Sequence, residues 1–398
     1  MKRIIVLALA ACMVLGAAFG ASAADIKATG NFVINYDSVQ YEEGTDDNAF
    51  RERFRSQIDI VTSENLSGTV YFEIGTLDWG DAGGAIGTDG TNVKTRYAYL
   101  DFAIPSTPVK VRAGLQALAL PSATAGSPII DDDVAAIVAS AAFEPVSVTA
   151  FFARPQDDVI ARYDAYGLIA SGVVGPVNVS PYIMFADFND YGVITAQNDA
   201  DAFWFGVAAD AAFGNLTVAV DAIYGDKNYD NGNTKDADGY FFAANAAYTL
   251  DVAKLAVLGW WSSDDDDVMP SIGAASNFSP LMLVGDTTLG ISRGAAVYNS
   301  LGTQGIVVSA SDVSFIEKLT HGVSLGYVAL DNESTHVNPD DAAGIDGHIW
   351  EVDFTNTYAM YDNLDVFFEF AYASVDNDDN NTEDEDIFKY TAGVQYNF

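Results

Sequence analysis

The sequence is poor in cysteine and has no long apolar run outside its N-terminus. Cys12 is the only cysteine among 398 residues, which excludes a disulfide framework and thiol chemistry. After residue 23 the longest apolar run, Val134 to Phe143, has ten residues, whereas a membrane-spanning helix needs ~20. A helical membrane protein is therefore excluded. A transmembrane β-barrel is not, because each of its strands needs only about ten residues, alternately apolar.

Positive charge is also scarce. The chain has 18 Lys and Arg against 56 Asp and Glu, a formal net charge of −38. This balance argues against nucleic acid as a partner, since phosphate binding requires a basic surface. An acidic surface attracts cations, so loose binding of divalent cations by acidic loops remains an open expectation.

No metal, cofactor or catalytic constellation is predicted. The acidic run that begins at Asp376 starts like a calcium loop, but Asn381 and Ile387 replace the Gly and Glu that such a loop requires. His348 lies two residues from Asp346, which suggests the rim pair of some barrel enzymes. No nucleophile accompanies that pair, so we interpret His348 as a surface residue and expect no enzymatic activity.

The N-terminus has the pattern of an export signal. Lys2 and Arg3 precede the apolar stretch Ile4 to Ala18, and Ala21-Ser22-Ala23 forms a small-residue cleavage site. An alternative lipoprotein-type site, Leu9-Ala10-Ala11-Cys12, comes early within the apolar stretch, so ordinary cleavage is favoured. We expect residues 1–23 to be a signal peptide and residues 24–398 to form a single transmembrane β-barrel domain.

The C-terminal segment carries the clearest strand pattern. From Phe388 to Phe398, even positions are apolar or aromatic and odd positions are polar or Gly. This period of two predicts a strand with one apolar face. Ending on an aromatic residue is typical of the strand that closes a transmembrane barrel. An edge strand of a soluble β-protein is the alternative.

Short and long connections alternate along the rest of the chain. Eight short turns alternate with long acidic segments, as in outer-membrane barrels with short periplasmic turns and long outer loops. The count predicts an all-β, antiparallel barrel of 18 strands, or of 16 if the stretch Val134–Pro155 is one element instead of two around Glu144-Pro145. The segment Ser262–Gln304 is predicted to be one of the outer loops, and the inner face is predicted to be polar.

The few basic residues are clustered. Seven fall within 62 residues, and alternation places them on one inner wall of the barrel, since charge on the lipid face costs about 2–4 kcal/mol. They are Arg51, Arg53, Arg55, Lys94, Arg96, Lys110 and Arg112. The segment Ala117–Asp133 follows and ends in Asp131, Asp132 and Asp133. If it folds inward, this triplet faces the basic wall and creates a constriction with a transverse field; the alternative is a solvated outer loop.

Short motifs resemble the general trimeric porins. Lys94-Thr95-Arg96-Tyr97-Ala98-Tyr99 is similar to a porin strand whose cations line the pore. Val111 to Gln116 resembles the strand before the porin constriction loop, although the Pro-Glu-Phe-Gly-Gly turn of that loop is missing. The whole chain is similar to the homotrimeric porins of sulfate-reducing bacteria. The resemblance implies a homotrimer in outer-membrane lipid and lipopolysaccharide, with Tyr396 and Phe398 as the signal for the barrel-assembly machinery.

These observations predict a porin in the outer membrane of a Gram-negative bacterium, a passive diffusion pore for small hydrophilic solutes and ions. A second hypothesis is a solute-specific porin for a sugar or a carboxylate, for which Trp260 and Trp261 would be rim aromatics. A third is a secreted acidic β-protein or adhesin.

Overall fold

A computed structural model describes the chain from residue 24 to its C-terminal Phe398, with gaps. The residues described are 24–42, 46–80, 93–158, 161–190, 199–230, 236–263, 269–272, 278–285, 287–291, 302–331, 346–377 and 384–398. The predicted signal peptide, residues 1–23, lies outside them. In the described ranges, no helix has both the length and the apolar character needed to span a membrane.

Eighteen antiparallel strands form one closed sheet. Each strand pairs with its neighbours in sequence, and β1 pairs with β18 to close the barrel. The strands are β1 (Asp25–Tyr41), β2 (Asp47–Ser63), β3 (Leu66–Asp78), β4 (Val93–Ala103), β5 (Val109–Ala119), β6 (Asp131–Phe143), β7 (Val146–Asp157), β8 (Ala161–Val174), β9 (Val177–Asp190), β10 (Ala200–Phe213), β11 (Leu216–Tyr229), β12 (Ala237–Thr249), β13 (Lys254–Ser262), β14 (Thr303–Ile316), β15 (Leu319–Asp331), β16 (Asp346–Tyr361), β17 (Leu364–Asn377) and β18 (Glu385–Asn397). The predicted all-β barrel is confirmed.

The stretch Val134–Pro155 decides the strand count. It forms two paired strands, β6 and β7, joined by a tight turn in which Phe143 pairs with Val146. The alternation of exposed and buried side chains shows why both segments are strands of the barrel wall. Ile137 on β6 is 53% exposed on the outer face, while Phe151 on β7 is buried on the inner face. The count is therefore 18, and the alternative of 16 is excluded.

Aromatic side chains pair on the outer face near the ends of the strands. Ring centroids of Tyr372 and Phe388 are 4.8 Å apart, and Tyr327 and Trp350 are at the same distance. Each pair joins neighbouring strands, as expected for cross-strand contacts between residues directly opposite each other. Amphipathic rings at strand ends suit the boundary between an apolar layer and water.

The C-terminal residue completes the closure between β18 and β1. The backbone N–H of Phe398 donates to the Gly30 carbonyl at 3.0 Å, and the Gly30 N–H donates to the Phe398 carbonyl at 2.9 Å. The Phe398 ring stacks on Phe54 of β2, with centroids 5.8 Å apart. A Cβ at Gly30 would lie 2.8 Å from the Phe398 ring, so glycine provides the space for that ring.

Deleting Phe398 should therefore weaken barrel closure. The deletion removes two backbone hydrogen bonds and two ring pairs, with Phe54 and Tyr396, together about 2–6 kcal/mol. We expect a smaller folded fraction, measured as heat-modifiable migration on gels after refolding into detergent or lipid. Phe398→Tyr keeps the ring and the backbone bonds, so it should fold like the wild type. Equal folded fractions for the deletion and the wild type would contradict this role.

Candidate pore-lining site

The seven clustered basic residues, hereafter the basic wall, lie on strands β2, β4 and β5. On β2 the predicted alternation is present. Phe50 and Ile60 are 51% and 42% exposed on the outer face, whereas Arg51 is 1% exposed on the inner face. The structure thus brings all seven residues to three strands within one sector of the barrel, where most of them meet carboxylates.

Arg51 is enclosed by three carboxylates from the strands on either side and from its own. Its guanidinium donates to Asp37 at 2.6 Å, to Asp47 at 2.9 Å and to Asp78 at 2.8 Å. Asp37 also accepts a 2.5 Å hydrogen bond from the Thr391 hydroxyl of β18. A buried guanidinium requires such compensation. Arg51 therefore joins β1, β2 and β3, and its charge is neutralised locally.

Glu73 of β3 is the centre of a second ionic cluster. Arg55 lies 2.7 Å, Arg96 3.4 Å and Lys94 3.8 Å from its carboxylate. A bulge in the pairing of β3 with β4 removes Arg96 from the regular alternation. Arg96 also forms an ion pair with Asp133 of β6. One buried carboxylate thus gathers three cations of the basic wall.

The remaining three cations differ in their pairing. Arg112 binds Asp101 through two hydrogen bonds of 2.8 and 2.9 Å, and its guanidinium lies 4.2 Å from the centre of the Tyr99 ring. Arg53 and Lys110 form no ion pair with any carboxylate in the described part of the chain. Lys110 is exposed, whereas Arg53 is half-buried and its Nε is inaccessible.

The sequence interpretation missed the acidic partners of the basic wall. Glu73 and Asp101 occupy inner positions on β3 and β4, and Asp37 occupies one on β1. Alternation carried a signal for Asp37 and Glu73. It did not for Asp101, which differs in parity from Lys94 and Arg96 and faces inward because of the bulge at Arg96. These carboxylates reduce the electric field of the basic wall, because five of its seven cations are ion-paired.

The connection between β5 and β6 is shorter than predicted. The strands extend to Ala119 and from Asp131, and Ala117 pairs with Asp133, so residues 120–130 form the loop. Asp131, Asp132 and Asp133 belong to β6, where Asp131 and Asp132 are exposed and Asp133 binds Arg96. The triplet therefore lies beside one cation of the basic wall. Its predicted effect on permeating ions stays a prediction.

Residues 120–130, hereafter the first inner loop, lie inside the barrel. At its tip, Asp221 of β11 accepts hydrogen bonds from the Ala123 and Thr124 amides at 2.8 and 3.1 Å. The Ser122 and Thr124 hydroxyls donate to the same carboxylate at 2.7 and 2.5 Å. Since β5 and β11 are six strands apart in the closed sheet, the loop crosses the interior.

The prediction that Ser262–Gln304 is an outer loop is wrong for its described parts. Residues 269–272, 278–285 and 287–291 lie inside the barrel. The Ile272 amide donates to the Ile129 carbonyl at 3.1 Å, and the Ser279 amide donates to the Ala125 carbonyl at 2.8 Å. Buried apolar side chains explain the inward position, since exposing them to water would be unfavourable. They are Met269, Ile272, Phe278, Leu281, Met282, Leu283, Val284 and Ile291.

The inner face of the barrel is correspondingly not polar throughout. From β9 to β13, inward side chains such as Met184, Trp204 and Phe241 are fully buried against these segments. Trp260, predicted as a rim aromatic, is 5% exposed and packs on Phe278, whereas Trp261 is 39% exposed on the outer face. The polar-interior prediction therefore fails for this half of the barrel.

A cavity beside the basic wall, of about 560 Å³, opens near the short turn between β2 and β3. Lys110, Arg112, Glu64 and Asp101 line it with charge of both signs, and Asp101 pairs with Arg112. Leu118 and Phe151 supply apolar surface. A small amphipathic anion would find both a cation and an apolar contact there.

Two further features concern site chemistry. No group of three or more metal-ligating side chains occurs among the described residues. His348 lies 2.7 Å from the Asp376 carboxylate of β17, so it forms a polar pair with a residue of the neighbouring strand.

Comparison with known proteins supports the architecture. No protein-family profile matches the chain, and no curated protein sequence matches it either. Solved outer-membrane proteins of Pseudomonas aeruginosa are similar in fold. OccK9 (OpdG) has a TM-score of 0.63 at 11% identity, covering 94% of this chain and 99% of its own. OpdQ has a TM-score of 0.61 at 11% identity, covering 94% and 99%.

A third structure, the outer membrane protein OprD from the same organism, has a TM-score of 0.58 at 13% identity, covering 93% of this chain and 94% of its own. Likeness at these identities establishes a shared fold. The resemblance to the trimeric porins of sulfate-reducing bacteria stays a prediction.

Proposed function

We propose that this protein is an outer-membrane pore through which small hydrophilic solutes and ions diffuse passively. The observation that carries the proposal is the closed barrel with a cavity beside a wall of cations, while inner segments occupy the opposite half. The solved outer-membrane barrels of similar fold support the same location. We therefore propose the outer membrane of a Gram-negative bacterium as its site, with lipopolysaccharide as a neighbour.

The proposed pore runs along the basic wall and not through the centre of the barrel. Apolar packing between β9–β13 and the inner segments excludes water from that half. Along the other half, Arg53 and Lys110 alternate with ion-paired side chains that present both signs of charge. Rings of charge in a confined lumen select among hydrated solutes.

We further propose a homotrimer whose contact face includes β1 and β2. Alternation places Glu52 on the outer face, between the exposed Phe50 and the stacked Phe54. Glu52 is only 9% exposed because its own chain covers it, whereas Phe50 beside it is 51% exposed. Contact of this face with another copy would bury that apolar surface. Tyr396 and Phe398, at the end of the closing strand, are the proposed signal for the assembly machinery.

The proposal predicts conductance by a stable trimer. Purified protein in planar bilayers should form water-filled channels that close in three steps at high voltage, since each copy has its own pore. Unheated samples should migrate as a trimer on gels and convert to monomer on boiling. Absence of conductance in every lipid tested would refute the pore, and a monomeric unheated species would refute the trimer alone.

The unpaired cations should control ion selectivity. Replacing Arg53 or Lys110 by Gln removes one positive charge from the lumen without leaving a carboxylate unpaired. The cation-over-anion permeability ratio should rise about two-fold for each change at physiological salt, measured from the reversal potential in a salt gradient. Lys318→Gln, at an exposed turn, is the matched control. An equal shift in that control would contradict the assignment.

A carboxylate-specific porin is the second candidate, favoured by the cavity that combines Lys110 with Phe151. One solved barrel of similar fold, OpdK of Pseudomonas aeruginosa, was determined with vanillate, at a TM-score of 0.60 and 10% identity. If the second candidate is correct, an aromatic carboxylate such as benzoate should block ion current at millimolar concentration. The block should disappear in Lys110→Gln. Equal block of both proteins would favour the general pore.

A further inference from the structure

Residues 278–285 and 287–291, hereafter the inner segment, contact the barrel wall through several backbone amides. None of their side chains is basic, so backbone N–H groups and the hydroxyls of Ser279, Thr287 and Thr288 are the donors that they offer to wall carboxylates. The attachments lie on strands β16, β17 and β1, along a continuous arc of the inner face.

Glu351 and Asp353 of β16 hold the turn at the start of the inner segment. The Leu283 and Val284 amides donate to the two carboxylate oxygens of Glu351 at 2.6 and 3.0 Å. The Met282 amide donates to Asp353 at 3.2 Å. Both carboxylates are buried, with Glu351 at 0% exposure. Consecutive backbone amides that converge on one anion form a strong, charge-assisted contact.

The other end of the inner segment is attached by polar contacts of the same kind. The Leu289 amide donates to Glu369 of β17 at 2.8 Å. Asn35 of β1 receives the Ile291 amide at 2.9 Å and donates to the Ile291 carbonyl at 3.1 Å. A Cβ at Gly290 would lie 2.7 Å from the Thr391 side chain, so the backbone runs directly against the wall.

The inner segment in turn supports the first inner loop. The Ser279 amide donates to the Ala125 carbonyl at 2.8 Å, and Phe278, Leu281 and Ile129 belong to one buried apolar cluster. That cluster includes Leu118, which lines the cavity beside the basic wall. A continuous chain of contacts therefore runs from Glu351 to the open space.

We propose that Glu351, assisted by Asp353, is the positioning residue that sets the limiting cross-section of the pore. It acts by fixing the inner segment inside the barrel, where that segment also supports the first inner loop, whose tip Asp221 of β11 holds across the interior. The inference rests on the proposed pore function. Two acceptor oxygens are essential, because two neighbouring amides must be satisfied together; an amide side chain would offer one acceptor and place its NH₂ group against an N–H.

Glu351→Gln tests this inference with nearly unchanged side-chain volume. One of the two backbone amides bound by Glu351 would lose its charged acceptor. The population of molecules with the inner segment released should therefore rise about ten-fold. We expect a higher single-channel conductance and passage of larger neutral polyethylene glycols. Loss of a negative charge by itself would lower the cation current, whereas release of the inner segment would raise the conductance. The direction of the change in conductance therefore separates the two explanations.

Asp210→Asn is the matched control. Asp210 is on the inner face of β10 and is bonded to Asn178, so the control removes the same charge without touching the inner segment. Its exclusion limit should equal that of the wild type. An unchanged exclusion limit in a conducting Glu351→Gln protein would overturn the inference.

A labelling experiment tests the attachment independently of conductance. Val284 is 1% exposed, so Val284→Cys should react slowly with a membrane-impermeant maleimide. In the Glu351→Gln background the rate should rise about ten-fold, and in the Asp210→Asn background it should not. Glu351→Asp keeps both carboxylate oxygens, so the labelling rate in that background should lie between the rates in the wild-type and Glu351→Gln backgrounds. If Glu351→Gln fails to fold, Glu351→Asp takes its place in the experiment.

Equal labelling rates in all backgrounds would overturn the attachment. If no protein conducts, wild type included, the pore function and the positioning role both fall, whereas a difference in labelling would still establish that Glu351 holds the segment. The two failures are therefore distinguishable.

Discussion

Saturation of backbone hydrogen bonds is the constraint on which this structure depends. Every strand has two paired neighbours, and the pairing of β1 with β18 leaves no free edge. In an apolar layer an unpaired N–H or C=O costs several kcal/mol, so closure is what permits the outer face to be apolar. The reciprocal bonds between Gly30 and Phe398 extend this pairing to the last residue of the chain.

The same constraint operates inside the barrel, where it is met differently. The first inner loop and the inner segment have irregular backbones, so their amides find few partners within their own chain segments. Wall carboxylates provide the acceptors: Asp221 for the first inner loop, and Glu351, Asp353 and Glu369 for the inner segment. Part of the acidic character of this protein is thus structural, since these carboxylates accept hydrogen bonds from backbone amides.

Charge of both signs on the basic wall has a related consequence. Arg51 and Glu73 are nearly inaccessible, and each is surrounded by opposite charges. Cations clustered on one barrel wall would repel one another, so the carboxylates between them allow their close spacing. Arg53 and Lys110 remain without ion pairs in the described structure.

The sequence by itself determined the barrel. Period-two alternation and tight turns specify strands, their faces and their number, because a shift of one residue would turn each apolar set inward. The inward position of Arg51 on β2 follows from this alternation. Only the tertiary structure decided what occupies the interior. The inward position of residues 278–285 and 287–291 depends on contacts with Asp353, Asn35 and Ala125, which are far apart in sequence. Local alternation assigns a side chain to a face of the sheet, but it carries no information about such distant partners or about the bulge that turns Asp101 inward.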